Sequence, residues 1–265
     1  MIQCLDLELD SFILNAQNKI MSIKGLIRRI KRRFFPYYRV IRKPENGKAA
    51  AYSKSWQQPR LAQKQTLKAV AQLDNWKEID HMRVGVEAIK ATGLVNPKVL
   101  EVGCSAGYFS EVFKLAGLDV QYEGCDYSSE FIKLAKERYP NIPFAVNDAT
   151  QLNYQNDSFD IVFSGGCLLH ILDYRQAIRE AARVARDFVI FQRTPVILKS
   201  PTTYTQKTAY EVPMIEIWFN ETELLDLIRQ EGLTVEKIFT FGEKKYIAEP
   251  VFIKTYVCRK IKTNL

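Results

Sequence analysis

The sequence predicts an α/β fold, and three observations carry that reading. Residues 99–110 (VLEVGCSAGYFS) run from an apolar strand through two glycines into helical spacing at Tyr108, Phe109, Val112 and Phe113, the pattern of a strand-turn-helix unit. Further short apolar pieces at residues 120–124, 144–146 and 159–163 lead into polar or acidic residues: Asp126, Asn147-Asp148-Ala149 and Ser164-Gly165-Gly166-Cys167. A chain of 265 residues that is 47% hydrophobic has the length of one α/β unit with an N-terminal extension, and enough apolar content for a full core.

The remaining elements follow in chain order. Residues 11–44 carry ten Lys or Arg and no acid, and Ile20, Ile23, Ile27, Ile30 and Phe34 recur within them at three- and four-residue steps. With Lys24, Arg28, Lys31 and Arg32 on the rest of the surface, that spacing predicts a basic amphipathic helix over residues 19–35, ended by Pro36. Little pattern precedes Met21, which makes Met21 a candidate start. Two helices are expected over 57–73 and 80–92, forming a lid entered through residues 51–56, with Trp56 as a core anchor. The expected layout is a basic extension over 1–50, a helical lid over 51–95 and an α/β domain over 96–265. In its C-terminal half a helix over 173–185 leads to a strand over 188–192, a long connection over 194–219 and a helix over 221–230. Asn220 and Glu223 predict a capping box for that last helix, with Phe219 and Leu224 as its hydrophobic staple. Residues 233–241 and 251–259 close the fold as a strand pair.

The ends of the strands carry the chemistry. Gly103 and Gly107 sit between strand and helix, where a side-chain-free backbone approaches a ligand closely and aims free helix N–H groups at it. The spacing is E-x-G-x-x-x-G from Glu101, not the G-x-G-x-x-G of dinucleotide folds. Asp126, at a strand's C-terminal end, is placed to accept from two vicinal hydroxyls, and Asp148, on the same edge, to accept from an exocyclic amine. Each acid alone reads better as a turn or helix cap. Three acids at successive strand ends favour a ligand site.

Because LEVGCSAG, GCDYS, NDATQL and SFDIVFSGGCLLHI occur in this order, residues 98–193 resemble the class I S-adenosylmethionine-dependent methyltransferases of the small-molecule type. The resemblance implies a Rossmann-like seven-stranded sheet of order 3-2-1-4-5-7-6 with an antiparallel last strand and helices on both faces, making 96–265 the methyltransferase domain. It implies S-adenosyl-L-methionine as cofactor, with Glu101, Gly103 and Gly107 at the methionine end and Asp126 on the ribose. It also implies Asp148 and the Ala149 amide at the adenine, Tyr127 flanking that ring, and the Ser164 backbone at the methionine amino group.

On the acceptor side, His170 follows the fourth strand at the ligand edge and titrates near neutral pH, which makes it the candidate general base; the competing reading packs it in the 168–172 turn. The long connection carries Tyr204, Tyr210, Glu211 and Glu216, which with Arg193 are the acceptor-pocket candidates, Arg193 as an anion binder or as half of an ion pair. His81 reads as structural.

Composition excludes several other functions. No run approaches the roughly 18 apolar residues of a membrane span, and Asp6, Glu8 and Asp10 interrupt any signal-peptide pattern. Cys4, Cys104, Cys125, Cys167 and Cys258 form no C-x-x-C pair and no metal-ligand cluster, so they read as reduced thiols of a cytoplasmic protein, with no metal site. Removing the ten cations of 11–44 takes the formal net charge from +8 to −2, so the domain itself is not basic. The basic helix then either lies on an anionic membrane, placing the protein at the inner face, or docks its stripe on protein. A nucleic-acid arm ranks third. The sequence lacks the Asn/Asp-Pro-Pro-aromatic motif of nucleic-acid amine methylation, and Cys167 lacks the Pro-Cys context of pyrimidine methylation. The expected function is O-methylation of a small-molecule or saccharide acceptor, as in envelope polysaccharide or lipid-linked intermediate synthesis. The alternatives are N- or C-methylation of another metabolite, or a non-catalytic cofactor-binding scaffold.

Overall fold

In a computed structural model, residues 38–45, 52, 54–244 and 249–262 are described; the expected helix over 19–35 lies outside them. The chain divides into two compact units, residues 1–39 and 40–265, and the site belongs to the second. The helices are α1 (Pro59–Val70), α2 (Asp80–Ala91), α3 (Tyr108–Leu115), α4 (Ser129–Arg138), α5 (Tyr174–Val184) and α6 (Glu221–Gln230). The strands are β1 (Tyr38–Ile41), β2 (Lys98–Val102), β3 (Gln121–Asp126), β4 (Phe144–Val146), β5 (Phe159–Gly165), β6 (Ala185–Ile197), β7 (Thr203–Ala209), β8 (Val212–Asn220), β9 (Leu233–Lys244) and β10 (Val251–Lys260).

Seven of these strands, taken in chain order from β2 and leaving out β7 and β8, lie in the order 3-2-1-4-5-7-6. The run β4-β3-β2-β5-β6 is parallel, β10 pairs antiparallel with β6, and β9 lies outside β10. Alternation along the buried strands sends Val99, Ile161, Phe163, Phe188 and Ile190 to one face, where they pack with Met82, Val86 and Ile89 of α2 and Phe109 and Phe113 of α3. Leu100, Val102, Val162, Val189 and Phe191 go to the other, against Ile178 and Ala181 of α5 and Leu227 and Ile228 of α6. This period of two, with helices on both faces, makes a parallel sheet read as continuous apolar runs.

The stretch expected as a long connection is instead a hairpin. Here β7 and β8 pair from Thr203↔Trp218 to Ala209↔Val212, joined by Tyr210 and Glu211 at φ of 52° and 70°. A two-residue turn with both φ positive matches the right-handed twist of its strands. Beyond Gln192, the last residue of β6 registered with β5, the vacated side of β6 is taken by β8 at Val196 and Ile197. The hairpin therefore stands over the C-terminal edge of β5.

The capping box at α6 forms by half. Asn220 Oδ1 accepts from the Glu223 N–H at 3.1 Å, but the Glu223 carboxylate turns to Thr202, accepting from its hydroxyl at 2.7 Å. That Thr202 hydroxyl in turn accepts from the Asn220 N–H at 3.0 Å. The hairpin's entry thus takes the place of the return bond. Phe219 and Leu224, the expected staple, share one buried cluster.

Candidate functional site

Register aligns the C-terminal ends of β2, β3 and β5, with Val102 opposite Cys125 and Ser164, and a cavity of about 340 Å³ opens at that edge. Gly103, Ser105 and Gly107 turn the chain from β2 into α3 at φ of 74°, 53° and 74°. Only the first two line the cavity. A Cβ on Gly103 would lie 2.3 Å from Cys167 Cβ, and one on Gly107 would lie 2.5 Å from Phe144 Cζ. Protein packing thus requires both glycines, and Gly107 faces the Phe144 ring away from the cavity.

Asp126 ends β3 at the cavity wall, its Oδ2 accepting from the Ser105 N–H and its Oδ1 from the Ser128 N–H, both at 2.9 Å. Burial raises its pKa to about 6, although the N–H groups of Ser128, Ser105 and Tyr127 favour the anion. Each carboxylate oxygen keeps a second lone-pair direction for a ligand hydroxyl. Tyr127, Asp148 and Ala149 line the same end. Asp148 Oδ1 accepts from the Thr150 N–H at 2.8 Å and its hydroxyl at 2.7 Å, the expected turn cap, formed at the cavity.

Glu101 stands behind this wall. It is buried, its Oε2 accepts from the Tyr122 hydroxyl and its Oε1 has no partner. Burial holds its pKa well above the usual carboxylate value. A Cβ on Gly165 would lie 2.1 Å from Oε1. Since Gly165 itself lines the cavity, any side chain there would stand against Oε1 and cover it from that space. Ser164 stays in the strand: its carbonyl accepts from the Gly166 N–H at 2.7 Å and its hydroxyl meets Cys167 Sγ at 3.3 Å. Gly165 and Gly166, rather than Ser164, reach the cavity.

On the other side of β2 from Asp126, past the exits of β5 and β6, His170 and Arg193 line the cavity together with Trp56. His170 sits in a 3-10 turn (Leu168–His170) with Nδ1 2.5 Å from the Ile215 carbonyl of β8, so Nδ1 carries the proton and Nε2 is the acceptor. Burial, then the Lys207 charge, lower its pKa to about 4. The Trp56 ring stands 4.7 Å from the imidazole. Trp56 also packs on Leu61, Ala62 and Met214, so it is core anchor and cavity wall at once.

The four acceptor candidates of the former connection do not line the cavity. Tyr204 packs on the main core cluster and Tyr210 on Leu61, Phe131 and Val212. Glu211 pairs with Arg60 at 3.5 Å and Lys64 at 3.3 Å on the surface. Glu216 is buried against Lys207 and, at 3.0 Å, Lys244. The hairpin accounts for this: β8 is buried from Met214 to Phe219, Glu216 included, and Tyr210 and Glu211 sit in the turn, whereas a loop would have been free to bend toward the cavity. Cavity residues missed in the sequence include Gln65 of α1, Tyr108 of α3, Phe131 of α4 and Cys167. No local motif marks Gln65 or Tyr108, but Cys167 directly follows the Gly165-Gly166 exit.

Residues 100–190 match the methyltransferase domain family. A demethylmenaquinone methyltransferase of Paenarthrobacter aurescens is 35% identical over 104 residues, 39% of this chain and 40% of the relative. The O-methyltransferase cnsE of Penicillium expansum is 29% identical over 167 residues, 57% of this chain and 56% of its own length. The matched segments thus span between two fifths and three fifths of these relatives. Among solved structures, the 1,6-didemethyltoxoflavin-N1-methyltransferase of Burkholderia thailandensis, bound to 1,6-didemethyltoxoflavin and S-adenosylhomocysteine, covers 85% of this chain and 95% of its own. Its TM-score is 0.57 at 17% identity, a likeness of fold.

Proposed function

We propose that this chain, which carries a class I S-adenosylmethionine-dependent methyltransferase domain, O-methylates a small hydroxylated acceptor, saccharides included. The observation that supports the reading is one cavity lined from both sides of β2: acids with unused acceptor capacity, Asp126 and Asp148, at the exits of β3 and β4, and a neutral imidazole with a free Nε2 after β5. The donor side fits S-adenosylmethionine. Asp126 would take the ribose hydroxyls, Asp148 and the Ala149 amide the adenine, and Tyr127 that ring's face. The unpartnered Glu101 Oε1 would take the methionine amino group beside Gly103 and Gly165. When bound, the cofactor supplies an electrophilic methyl group on a sulfonium.

The chain's own residues then align and dehydrate. The bond from Nδ1 to Ile215 fixes the tautomer that leaves Nε2 to receive the acceptor's hydroxyl proton, while Trp56, Ile171 and Leu172 screen that end from water. The lid reading of residues 51–95 rests on Trp56 and Gln65, which border the cavity; α2 lies in the core layer. We place the protein in the cytoplasm, with residues 19–35 resting on an anionic membrane.

The test is transfer of labelled methyl from S-adenosylmethionine to a small-molecule extract of the source cells. His170→Ala is expected to lower kcat by about a hundredfold, the usual range of a general base, with donor affinity unchanged. Wild-type turnover in that variant would make His170 structural. The carrying claim fails if donor binds and no product is labelled.

A further inference from the structure

Arg193 occupies an unusual place. It is the first residue of β6 past its register with β5, before β6 pairs with β8, and it takes a left-handed φ of 57°. A non-glycine residue held in that region within a strand is an outlier that the surrounding structure must enforce. What this backbone achieves is direction: Arg193 lines the cavity beside Gly166 and His170. Its N–H reaches Thr255 Oγ1 at 3.3 Å, and among the described residues its guanidinium takes part in no ion pair or hydrogen bond.

Among the described residues, no carboxylate forms an ion pair with it. Asp126 is bound by the Ser105 and Ser128 N–H groups, Asp148 by Thr150, and Glu216 by Lys207 and Lys244. Resting on the reading of the site as a methyltransferase, we propose that Arg193 selects the acceptor by a carboxylate or phosphate group, which its guanidinium binds while the acceptor's hydroxyl faces His170. A planar fork of N–H donors suits either oxyanion, bidentate and charge-assisted. Trp56, Ile171 and Leu172, on the same side, suit an apolar or planar body for that acceptor. Burial keeps His170 neutral, so its Nε2 stays available to the hydroxyl of such an acceptor.

The experiment uses the full chain, methyl-labelled S-adenosylmethionine and a small-molecule extract of the source cells, split on an anion-exchange resin into retained and unretained pools. At least tenfold more label is expected in the retained pool. Phosphatase treatment of that pool separates the two sources: label lost identifies a phosphate, label kept a carboxylate. Arg193→Gln should raise the apparent KM for the retained pool at least tenfold, with donor affinity by calorimetry within twofold of wild type, and Arg193→Lys should recover part of the loss. Label chiefly in the unretained pool, or an unchanged KM in Arg193→Gln, overturns the proposal. So does weakened donor binding in that variant, which would assign the guanidinium to the methionine carboxylate. If donor binds and neither pool is labelled, the methyltransferase reading itself fails and takes the proposal with it.

Discussion

Glu216 of β8 shows how a single buried charge sits next to the contact that orients His170. It is almost wholly buried between the ammoniums of Lys207 and Lys244, and the adjacent residue, Ile215, supplies the carbonyl that fixes His170. Burial opposes its ionisation, but the Lys207 and Lys244 charges outweigh that and hold its pKa at about 2. Removing it takes the carboxylate away from a mostly buried Lys207, so Glu216→Ala should destabilise the fold by about 3 kcal/mol, read by denaturant unfolding. Because its folded pKa lies below its unfolded one, its contribution is complete above pH 4.5 and is lost as the pH falls toward 2. Glu216→Gln should flatten that acid limb. A part would persist from Glu249, whose pKa is also held at about 2 by hydrogen bonds with residues 198–200. An unchanged limb would show that Glu216 is not ionised against its lysines.

At the scale of elements, the hairpin of β7 and β8 decides which candidates reach the site. Its turn was hidden in the sequence because Tyr210 and Glu211 occupy positions with positive φ where Asn-Gly or Asp-Gly is the usual signal. The core strands were legible for the opposite reason: apolar runs ending in Asp126, in Asn147-Asp148 and in Gly165-Gly166 state both the strand and its exit. The capping residue Asn220 was legible, but its reciprocal partner was not, since Thr202 comes from eighteen residues upstream. The strain at the turn gives a prediction. Glu211→Gly removes a left-handed non-glycine residue at the loss of two exposed ion pairs, which contribute little, so it should stabilise the protein by up to about 1 kcal/mol. A loss of stability in urea titration would mean that Arg60 and Lys64 hold the hairpin through Glu211 after all.

Across the whole molecule, the convergence of Asp126 and Asp148 on one cavity, the proposed donor half, was readable because a parallel sheet brings successive strand ends to one edge, so sequence order becomes spatial order. The acceptor half was not. It depends on long-range contacts such as Trp56 with His170 and His170 with Ile215, which no local pattern encodes. Among the described residues, no helix is long and apolar enough to cross a membrane, so the proposed surface attachment rests on the basic residues 19–35. Deleting residues 1–36 should abolish sedimentation with anionic liposomes at low salt and leave donor affinity nearly unchanged; a full-length protein that stays in the supernatant refutes the membrane reading.

The central claim is that the cavity at the sheet's edge holds S-adenosylmethionine through Asp126. Calorimetric titration of the donor into wild type and Asp126→Ala tests it most directly. Wild type is expected to bind in the micromolar range, weakening as the pH falls through about 6, where the buried carboxylate takes its proton. The variant, folded by circular dichroism, should bind at least tenfold more weakly and lose that pH dependence, since charge-assisted bonds to the ribose are gone. Equal affinity in the two proteins, or no binding by wild type at any pH from 6 to 8, would contradict it.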